Sequence, residues 1–174
     1  MNLYVVRHTE AAKVGGAITR DADRVLTMHG EEDAALMGRA LALCDPAITM
    51  IVTSPLQRAM QTGEIIGREI GRHPALHVSH NLAPGFQHME FYGELSALCT
   101  GESIVAVGHQ PDLGEFISFL IGGSVRACIA MPPGAIAQIC VPFPLARSEA
   151  HLGWLLTPDL VTSLHSQYDK RSQP

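Results

Sequence analysis

The stretch Leu3-Tyr4-Val5-Val6-Arg7-His8-Thr9-Glu10 places an apolar run directly before an arginine and a histidine. Four consecutive apolar residues bounded by polar ones predict a short strand buried on both faces, because a strand with one exposed face alternates polar and apolar residues. In open α/β sheets with parallel strands, ligands bind beyond the carboxyl ends of the strands. Arg7 and His8 follow this strand immediately, so they are candidates for a binding or catalytic site.

The composition indicates a globular domain of ordinary size. The chain has 174 residues, of which 47% are hydrophobic and 17% charged, and its formal net charge is -5. This negative charge argues against non-specific nucleic-acid binding, which requires a basic surface to displace counterions from phosphates. No run approaches the roughly 20 apolar residues of a membrane-spanning helix, and no signal-peptide pattern opens the sequence. We therefore expect a cytoplasmic protein that binds neither nucleic acid nor membrane.

Apolar strand patterns alternate with helical patterns along most of the chain. The predicted strands are 3–6, 48–53, 75–78, 103–107, 135–141 and 151–157, and the predicted helices are about 31–44, 55–70, 86–98 and 112–121. This alternation predicts a single three-layer α/β/α domain over residues 1–160, with a mostly parallel central sheet and an antiparallel edge. Residues 161–174 are polar, and we expect them to form a C-terminal tail that frays.

Three of the predicted strands end in polar residues that suit an anion. Arg7 and His8 follow the first strand. Ser54 follows the second, with Arg58 one helical turn later, and His109 follows the fourth. The carboxyl ends of parallel strands lie at one edge of a sheet, so we expect these side chains to converge. Two guanidinium groups, two imidazoles and a helix amino-terminus together favour a tetrahedral anion, above all phosphate.

Absent motifs narrow the chemistry further. The sequence has no Gly-x-x-x-x-Gly-Lys-[Ser/Thr] phosphate loop, no cysteine followed by arginine at the spacing of cysteine-based phosphatases, and no Asp-x-Asp pair after a buried strand. The imidazoles and Ser54 are then the only nucleophiles at the strand ends. Because Ser54 precedes Pro55, the pattern favours a helix N-cap for this serine rather than a nucleophile.

Four ordered motifs carry a resemblance to a known family. They are Leu3–Glu10, Arg24-Val25-Leu26-Thr27 with Gly30, Thr53–Ala59 with Gln61-Thr62, and Val107–Pro111. In this order, and over most of the chain, they resemble the motifs of the histidine phosphatase superfamily, which has the phosphoglycerate-mutase-like fold. Within that superfamily, the chain resembles the small bacterial phosphohistidine phosphatases of the SixA type.

The resemblance implies a role for each strand-end arginine and histidine. His8 would attack phosphorus and carry a phosphohistidine intermediate. Arg7, Arg58 and His109 would bind the phosphoryl oxygens and stabilise the charge that develops during transfer. Attack requires a neutral nitrogen on His8, and the neighbouring arginines are expected to lower the pKa of this side chain. The resemblance implies neither a metal ion nor another cofactor.

Two hydroxyl groups at the strand ends are also expected to line the phosphate pocket. Thr9 stands where the family usually has glycine or another small residue. It is expected either to narrow the pocket or to donate a hydrogen bond to the phosphate. Ser54, at the end of the second strand, is expected to contact the phosphate as well.

The absence of a general acid bears on which substrate we expect. The mutase branch of the family has a glutamate general acid in a turn whose counterpart here, Asn81–Gly85, contains no carboxylate. Phosphohistidine has a leaving group that accepts a proton readily, so this absence favours a phosphorylated protein of the phosphorelay type as substrate. Glu90 and His88 lie close enough in the sequence to be candidates for an acid.

Three alternatives stay open. An open site would equally admit a small phosphomonoester, which makes a small-molecule phosphatase of the same superfamily the first alternative. Thr9 and the missing acid leave room for a phosphate-binding or phosphoprotein-binding module with weak turnover. The abundance of histidine, including His77 and His80 at a spacing that suits a metal, points to a metallohydrolase as the third, although the sequence offers no further ligand beside them.

Overall fold

Six strands form one mixed sheet in the computed structural model, which describes residues 1–146 and 149–164. The strands are β1 (Asn2–Arg7), β2 (Ile48–Thr53), β3 (Ala75–Val78), β4 (Ser103–Gly108), β5 (Ile136–Cys140) and β6 (His151–Leu156). Their order across the sheet is β3-β2-β4-β1-β5-β6. The strands β1 to β4 pair in parallel, whereas β5 and β6 run antiparallel at one edge. The prediction of a mostly parallel sheet with an antiparallel edge is confirmed.

The strands β1 and β4 lie at the centre of the sheet, where both faces are covered. Every residue of β4 is buried, and the apolar residues of β1 alternate between two hydrophobic cores. Leu3 and Val5 pack into the core on one face, whereas Tyr4 and Val6 pack into the core on the other. This burial explains the unbroken apolar runs, because a strand covered on both faces needs no polar alternation.

Four helices cover the two faces of the sheet. They are α1 (Met28–Cys44), α2 (Gln57–Ile70), α3 (His88–Leu98) and α4 (Asp112–Gly122). Met37 of α1 and Ile66 of α2 pack in one core. Phe91 of α3 and Phe116 of α4 pack in the other, which gives the predicted three-layer α/β/α arrangement. None of the helices in the described part of the chain combines the length and the apolar character that crossing a bilayer requires.

The start of α2 differs from the prediction. Leu56 is the N-cap residue, so Ser54 and Pro55 lie in the connection and not in the helix. Ser54 is fully buried, and its hydroxyl lies 2.8 Å from Nε2 of His109. The prediction of Ser54 as an N-cap is wrong because capping preference is a local signal, whereas a buried hydroxyl bonds to the partner that the fold brings to it.

The helix α1 begins three residues earlier than predicted, and its first turn lies in space beside the segment that follows β1. Thr27 is its N-cap, and the Thr27 hydroxyl accepts a hydrogen bond from the amide of Gly30 at 3.0 Å. A β-carbon at Gly30 would collide with the main-chain oxygen of Glu10. Glycine at this position therefore allows α1 to pack directly against the segment that follows β1.

A short helix over residues 158–164 follows β6, so the predicted tail, 161–174, begins inside a helix. Thr157 precedes this helix, and its carbonyl oxygen accepts a hydrogen bond from the amide of Val161 at 3.1 Å. The remainder of the predicted tail, residues 165–174, lies outside the described residues. The domain boundary at residue 160 stays a prediction.

Candidate active site

The carboxyl ends of β1, β2 and β4 lie side by side at one edge of the sheet. The amide of His8 donates to the carbonyl oxygen of Gly108 at 3.1 Å, and the amide of Ser54 donates to that of Val107 at 2.9 Å. These hydrogen bonds continue the sheet by one residue beyond β1 and β2. The rings of His8 and His109 consequently lie next to each other, with 5.1 Å between their centroids.

The ring of His8 is held in one tautomer. Its Nδ1 lies 2.7 Å from the carbonyl oxygen of Thr9, so Nδ1 carries the proton and donates it to that oxygen. Nε2 then has the free electron pair and accepts a hydrogen bond from Nε of Arg58 at 3.1 Å. Burial, followed by the positive charges of Arg58 and Arg7, lowers the pKa of His8 to about 4. The imidazole is therefore neutral at neutral pH.

The guanidinium of Arg58 connects His8 with the loop before α1. Arg58 lies in the first turn of α2 and is 4% exposed. Its Nη1 donates to the main-chain oxygen of Asp21 at 2.7 Å, and its Nη2 donates to the carboxylate Oδ2 of Asp21 at 2.9 Å. Thr62, one turn later, donates to the carbonyl oxygen of Arg58 at 2.8 Å. Thr62 thus supports the main chain of Arg58 and not its side chain.

Arg7 contributes a second guanidinium to the same edge. Its Nη1 donates to the carbonyl oxygen of Met131 at 2.8 Å, and its Nε is buried without a hydrogen-bond partner in the described residues. Burial lowers the pKa of Arg7. Within residues 1–146 and 149–164, no carboxylate forms an ion pair with this side chain. The charge of Arg7 is therefore available to an anionic ligand.

His109 is the second neutral imidazole at this edge. It is 4% exposed, and burial, followed by the neighbouring His8 and Arg58, lowers its pKa to about 3. Its Nε2 contacts the hydroxyl of Ser54, whereas its Nδ1 is buried and has no hydrogen-bond partner in the part of the chain that the structure describes. Because buried polar atoms are normally paired, Nδ1 is suited to meet an atom of a ligand.

These side chains combine two guanidinium groups with a neutral nitrogen nucleophile, an arrangement that suits the transfer of a phosphoryl group. Residues 3–91, which include β1, β2, Arg7, His8 and Arg58, match the sequence model of the histidine phosphatase superfamily (branch 1). The chain belongs to this superfamily. It is a phosphatase, and the family resemblance predicted from the sequence motifs is confirmed.

Known relatives of this histidine phosphatase match it over nearly their whole length. An uncharacterized protein of Picosynechococcus sp. (strain ATCC 27264 / PCC 7002 / PR-6) is 38% identical over 154 residues, which are 87% of this chain and 90% of the relative. The structure of the protein histidine phosphatase SixA complexed with tungstate is 25% identical with a TM-score of 0.80, covering 91% of this chain and 98% of that one. The alpha-ribazole phosphatase from Shigella flexneri shares the fold at 20% identity and a TM-score of 0.71, covering 91% and 97% of the two chains.

Glu90 and His88, the two candidate acids, are not brought to the strand-end arginines and histidines. Glu90 is exposed on α3. His88 stacks on the ring of Phe116, and its Nε2 lies 3.6 Å from Oε2 of Glu115 on α4. Among the described residues, neither side chain contacts His8 or Arg58. Neither is therefore placed to act as an acid there.

Thr9 of this histidine phosphatase is enclosed by protein. It is 1% exposed, and its Oγ1 lies 3.3 Å from Oγ1 of Thr62. Because Thr62 uses its only hydroxyl proton on the carbonyl oxygen of Arg58, Thr9 is the donor in this contact. A β-carbon at Gly134 would lie 3.2 Å from Cγ2 of Thr9. The hydroxyl proton of Thr9 is thus directed at Thr62, and a hydrogen bond to phosphate, one of the two roles expected of Thr9, stays a prediction.

Asp21 and the carbonyl group of Met131 are contacts that the sequence patterns do not reveal. Asp21 lies 37 residues before Arg58, and Met131 lies 124 residues after Arg7. Segment 11–25 has the sequence character of an exposed loop, and a main-chain carbonyl carries no sequence signal. The available signal is an aspartate three residues before the motif that begins at Arg24.

Mild acid is expected to weaken the folded state of this histidine phosphatase. The pKa values of His8 and His109 are lowered in the folded chain to about 4 and about 3, from an ordinary value of 6.5. As the pH falls below about 6.5, the unfolded chain therefore takes up protons first, and the free energy of unfolding decreases. For His8 alone the decrease is roughly 2 kcal/mol at pH 5. Urea denaturation at about pH 7, 6 and 5 measures how steeply the free energy of unfolding falls with pH.

The variant His109→Gln serves as the control for this slope. It removes one of the two buried imidazoles, so its free energy of unfolding is expected to fall less steeply over the same pH range. Equal slopes for the wild type and the variant would show that His109 does not take part. The other titratable groups are the same in both proteins, so the difference between the two slopes reports His109.

Proposed function

We propose that this phosphatase forms a covalent phosphohistidine intermediate on His8 and that its substrate is phosphohistidine in a protein. One observation carries the first part: the hydrogen bond from Nδ1 of His8 to Thr9 leaves the electron pair of Nε2 beside the guanidinium of Arg58. A pKa of about 4 keeps this electron pair unprotonated at neutral pH. The nucleophile therefore needs no separate general base.

In the first half of the proposed reaction, Nε2 of His8 attacks phosphorus, and the bond from phosphorus to the leaving group breaks. The electron pair of that bond departs with the leaving group, which takes a proton from solvent. Nε of Arg58, which donates to Nε2 in the resting enzyme, then donates to a phosphoryl oxygen. Nε of Arg7 and Nδ1 of His109 are the buried donors that we propose for the remaining oxygens.

In the second half, a water molecule attacks the phosphorus of phosphorylated His8. The bond from phosphorus to Nε2 breaks, and its electron pair returns to Nε2. Inorganic phosphate leaves with the oxygen and both protons of the water, and His8 is regenerated with its Nδ1 proton still on the Thr9 side. Arginine and histidine donors supply the charge stabilisation, so the proposed reaction requires no metal ion.

Two observations support phosphohistidine as the substrate. First, SixA, which this chain matches over 98% of the SixA length, is named a protein histidine phosphatase. Second, the turn 81–85 has no carboxylate, and neither Glu90 nor His88 contacts His8. A departing histidine nitrogen accepts a proton near neutral pH, so this leaving group does not depend on a strong acid. A phosphorelay protein as the partner and a cytoplasmic location stay predictions.

A phosphatase for small phosphomonoesters is the second candidate. The observation that favours it is the fold shared with the alpha-ribazole phosphatase from Shigella flexneri, a likeness that concerns the fold alone. An alkoxide is a stronger base and therefore a poorer leaving group than imidazole, so ester hydrolysis requires a proton donor. Among the described residues, Asp21 is the carboxylate that contacts Arg58, and its pKa is held below the ordinary value by the hydrogen bond from Arg24, which disfavours the protonated form that an acid needs.

A substrate panel with trapping of the phosphoenzyme tests the proposed function. The wild-type protein is mixed with a phosphohistidine peptide, p-nitrophenyl phosphate, phosphoserine and a sugar phosphate, and the reaction is quenched within one turnover. We expect an acid-labile, base-stable phosphoenzyme, and a kcat/KM for the phosphohistidine peptide at least about 10-fold above that for any alkyl ester. Activity is expected to persist after treatment with a chelator.

Each part of the proposal has its own opposing result. Turnover without an acid-labile phosphoenzyme would exclude the intermediate on a histidine. A phosphoserine or sugar phosphate rate above that of the phosphohistidine peptide would favour the small-molecule phosphatase. Loss of activity on chelation would indicate a metallohydrolase.

A further inference from the structure

The 3-10 turn Asp21–Asp23 places one carboxylate between two arginines. Oδ2 of Asp21 accepts from Nη2 of Arg58 at 2.9 Å, and Oδ1 accepts from Nη1 of Arg24 at 3.0 Å. The side chain of Arg58 is 5% exposed, whereas that of Asp21 is 58% exposed. An exposed loop residue thus reaches a buried arginine, although exposed ion pairs by themselves contribute little stability.

Asp21 binds the end of the Arg58 guanidinium that is remote from His8. Its main-chain oxygen accepts from Nη1 and its carboxylate accepts from Nη2, whereas Nε of Arg58 is directed at Nε2 of His8. A phosphoryl oxygen beside His8 would therefore replace only the contact of Nε. The hydrogen bonds from the terminal nitrogens to Asp21 can persist throughout the reaction, whereas phosphate must displace the contact between Nε of Arg58 and His8.

Asp21 is itself held from the other side. Nε of Arg24 donates to the carbonyl oxygen of Ala12 at 2.6 Å, and Nη2 donates to that of Ala11 at 3.3 Å. Arg24 therefore connects the segment after β1 with Asp21, and Asp21 connects Arg24 with Arg58. The hydrogen bond from Arg24 is the largest cause that holds the pKa of Asp21 below its ordinary value, so the carboxylate stays charged at neutral pH.

We propose that Asp21 is a positioning residue that aims Arg58 at the phosphoryl group on His8. The proposal rests on the proposed function, because it deepens the role of Arg58 in that reaction. A flexible arginine side chain has many rotamers, and fixing both terminal nitrogens removes most of them before the substrate arrives. The two arginines then stay in place while the charge on the phosphoryl oxygens develops.

The variants Asp21→Asn and Asp23→Asn provide a matched test. Both aspartates lie in the same 3-10 turn, and Asp23 pairs only with the exposed Arg20 in the described contacts. Asparagine at position 21 keeps the shape, but its amide nitrogen cannot accept a hydrogen bond, so one of the two arginines loses its hydrogen bond to the side chain of residue 21. Measured quantities are kcat and KM for p-nitrophenyl phosphate, the inhibition constant of inorganic phosphate, and the melting temperature.

We expect Asp21→Asn to weaken inhibition by phosphate and to lower kcat/KM, each about 10-fold, with an unchanged melting temperature. Asp23→Asn is expected to match the wild type in all four quantities. In an Arg58→Ala background, Asp21→Asn is expected to leave kcat/KM and the inhibition constant of phosphate almost unchanged, because a positioning residue acts through the residue it holds. An equal loss of kcat/KM in both backgrounds would contradict the proposal.

Other outcomes would also overturn it. Unchanged or tighter phosphate inhibition in Asp21→Asn would mean that Asp21 does not aim Arg58 or that it competes with phosphate. Equal losses in both asparagine variants with lower melting temperatures would mean that the turn is merely structural. If the wild-type protein forms no phosphoenzyme, the proposed function fails. If the phosphoenzyme forms but Asp21→Asn binds phosphate normally, only this inference fails.

Discussion

Replacement of His8 by alanine is expected to abolish phosphatase activity, with kcat reduced by about 10,000-fold or more. The proposed nucleophile is Nε2 of His8, and no second imidazole in the described residues has the same arrangement. The neighbouring ring of His109 has its Nε2 engaged with Ser54, and His109 is not held by a main-chain carbonyl as His8 is by Thr9. Turnover of p-nitrophenyl phosphate and of a phosphohistidine peptide measures the loss, and acid-labile phosphoenzyme should be absent.

The control for this experiment is His80→Ala. His80 is exposed on the turn after β3 and forms no side-chain contact with Arg58 or His8 among the described residues. Its removal is expected to leave kcat unchanged. Wild-type turnover by a folded His8→Ala protein, as judged from its circular dichroism and melting temperature, would contradict the assignment of the nucleophile.

The conservative change Arg58→Lys is expected to lower kcat by about 100-fold to 1,000-fold, even though the positive charge is kept. Arg58 uses three nitrogen atoms in fixed directions, one toward His8 and two toward Asp21. A lysine ammonium is a point charge on a flexible stem and cannot reproduce this planar fork. Initial rates give kcat and KM, and the inhibition constant of inorganic phosphate reports the loss of anion binding.

Arg68→Lys on the same helix is the matched control for Arg58→Lys. Arg68 is exposed in the last turn of α2, so the same substitution there leaves the strand ends untouched. We expect wild-type kinetics for Arg68→Lys. Equal kinetics for the two variants would contradict a role for the guanidinium of Arg58 in binding the phosphoryl group.

Local patterns predicted the central elements of the fold because burial on both faces leaves a direct trace in the sequence. The buried strand β2 has the predicted bounds, and β1 and β4 differ by one residue at their ends. The edge strand β3 also has the predicted bounds, although its residues are mostly exposed. The helix starts were less predictable. Thr27 caps α1, and Ser54 does not cap α2, because several residues in each connection have the chemical character of a cap.

The environment of each candidate side chain was harder to predict than its identity. The expected fall in the pKa of His8 has the predicted direction, but burial and not the arginines is the largest cause. Burial of a side chain depends on the elements packed around it, which a motif does not describe. Thr9 is a second example. Its position at a strand end suggests a phosphate ligand, whereas in the fold its hydroxyl is hydrogen-bonded to Thr62.

The sequence by itself determined that buried strands lead directly into Arg7, Ser54 and His109, which predicts that these residues share one edge of a parallel sheet. It did so because apolar runs and the residues that follow them are neighbours along the chain. Only the tertiary structure decided which partners hold these side chains: the Thr9 carbonyl for His8, the Met131 carbonyl for Arg7 and Asp21 for Arg58. Main-chain carbonyls have no residue signature, and Asp21 lies in an exposed loop far from Arg58 in sequence, so these contacts exist only once the chain has folded.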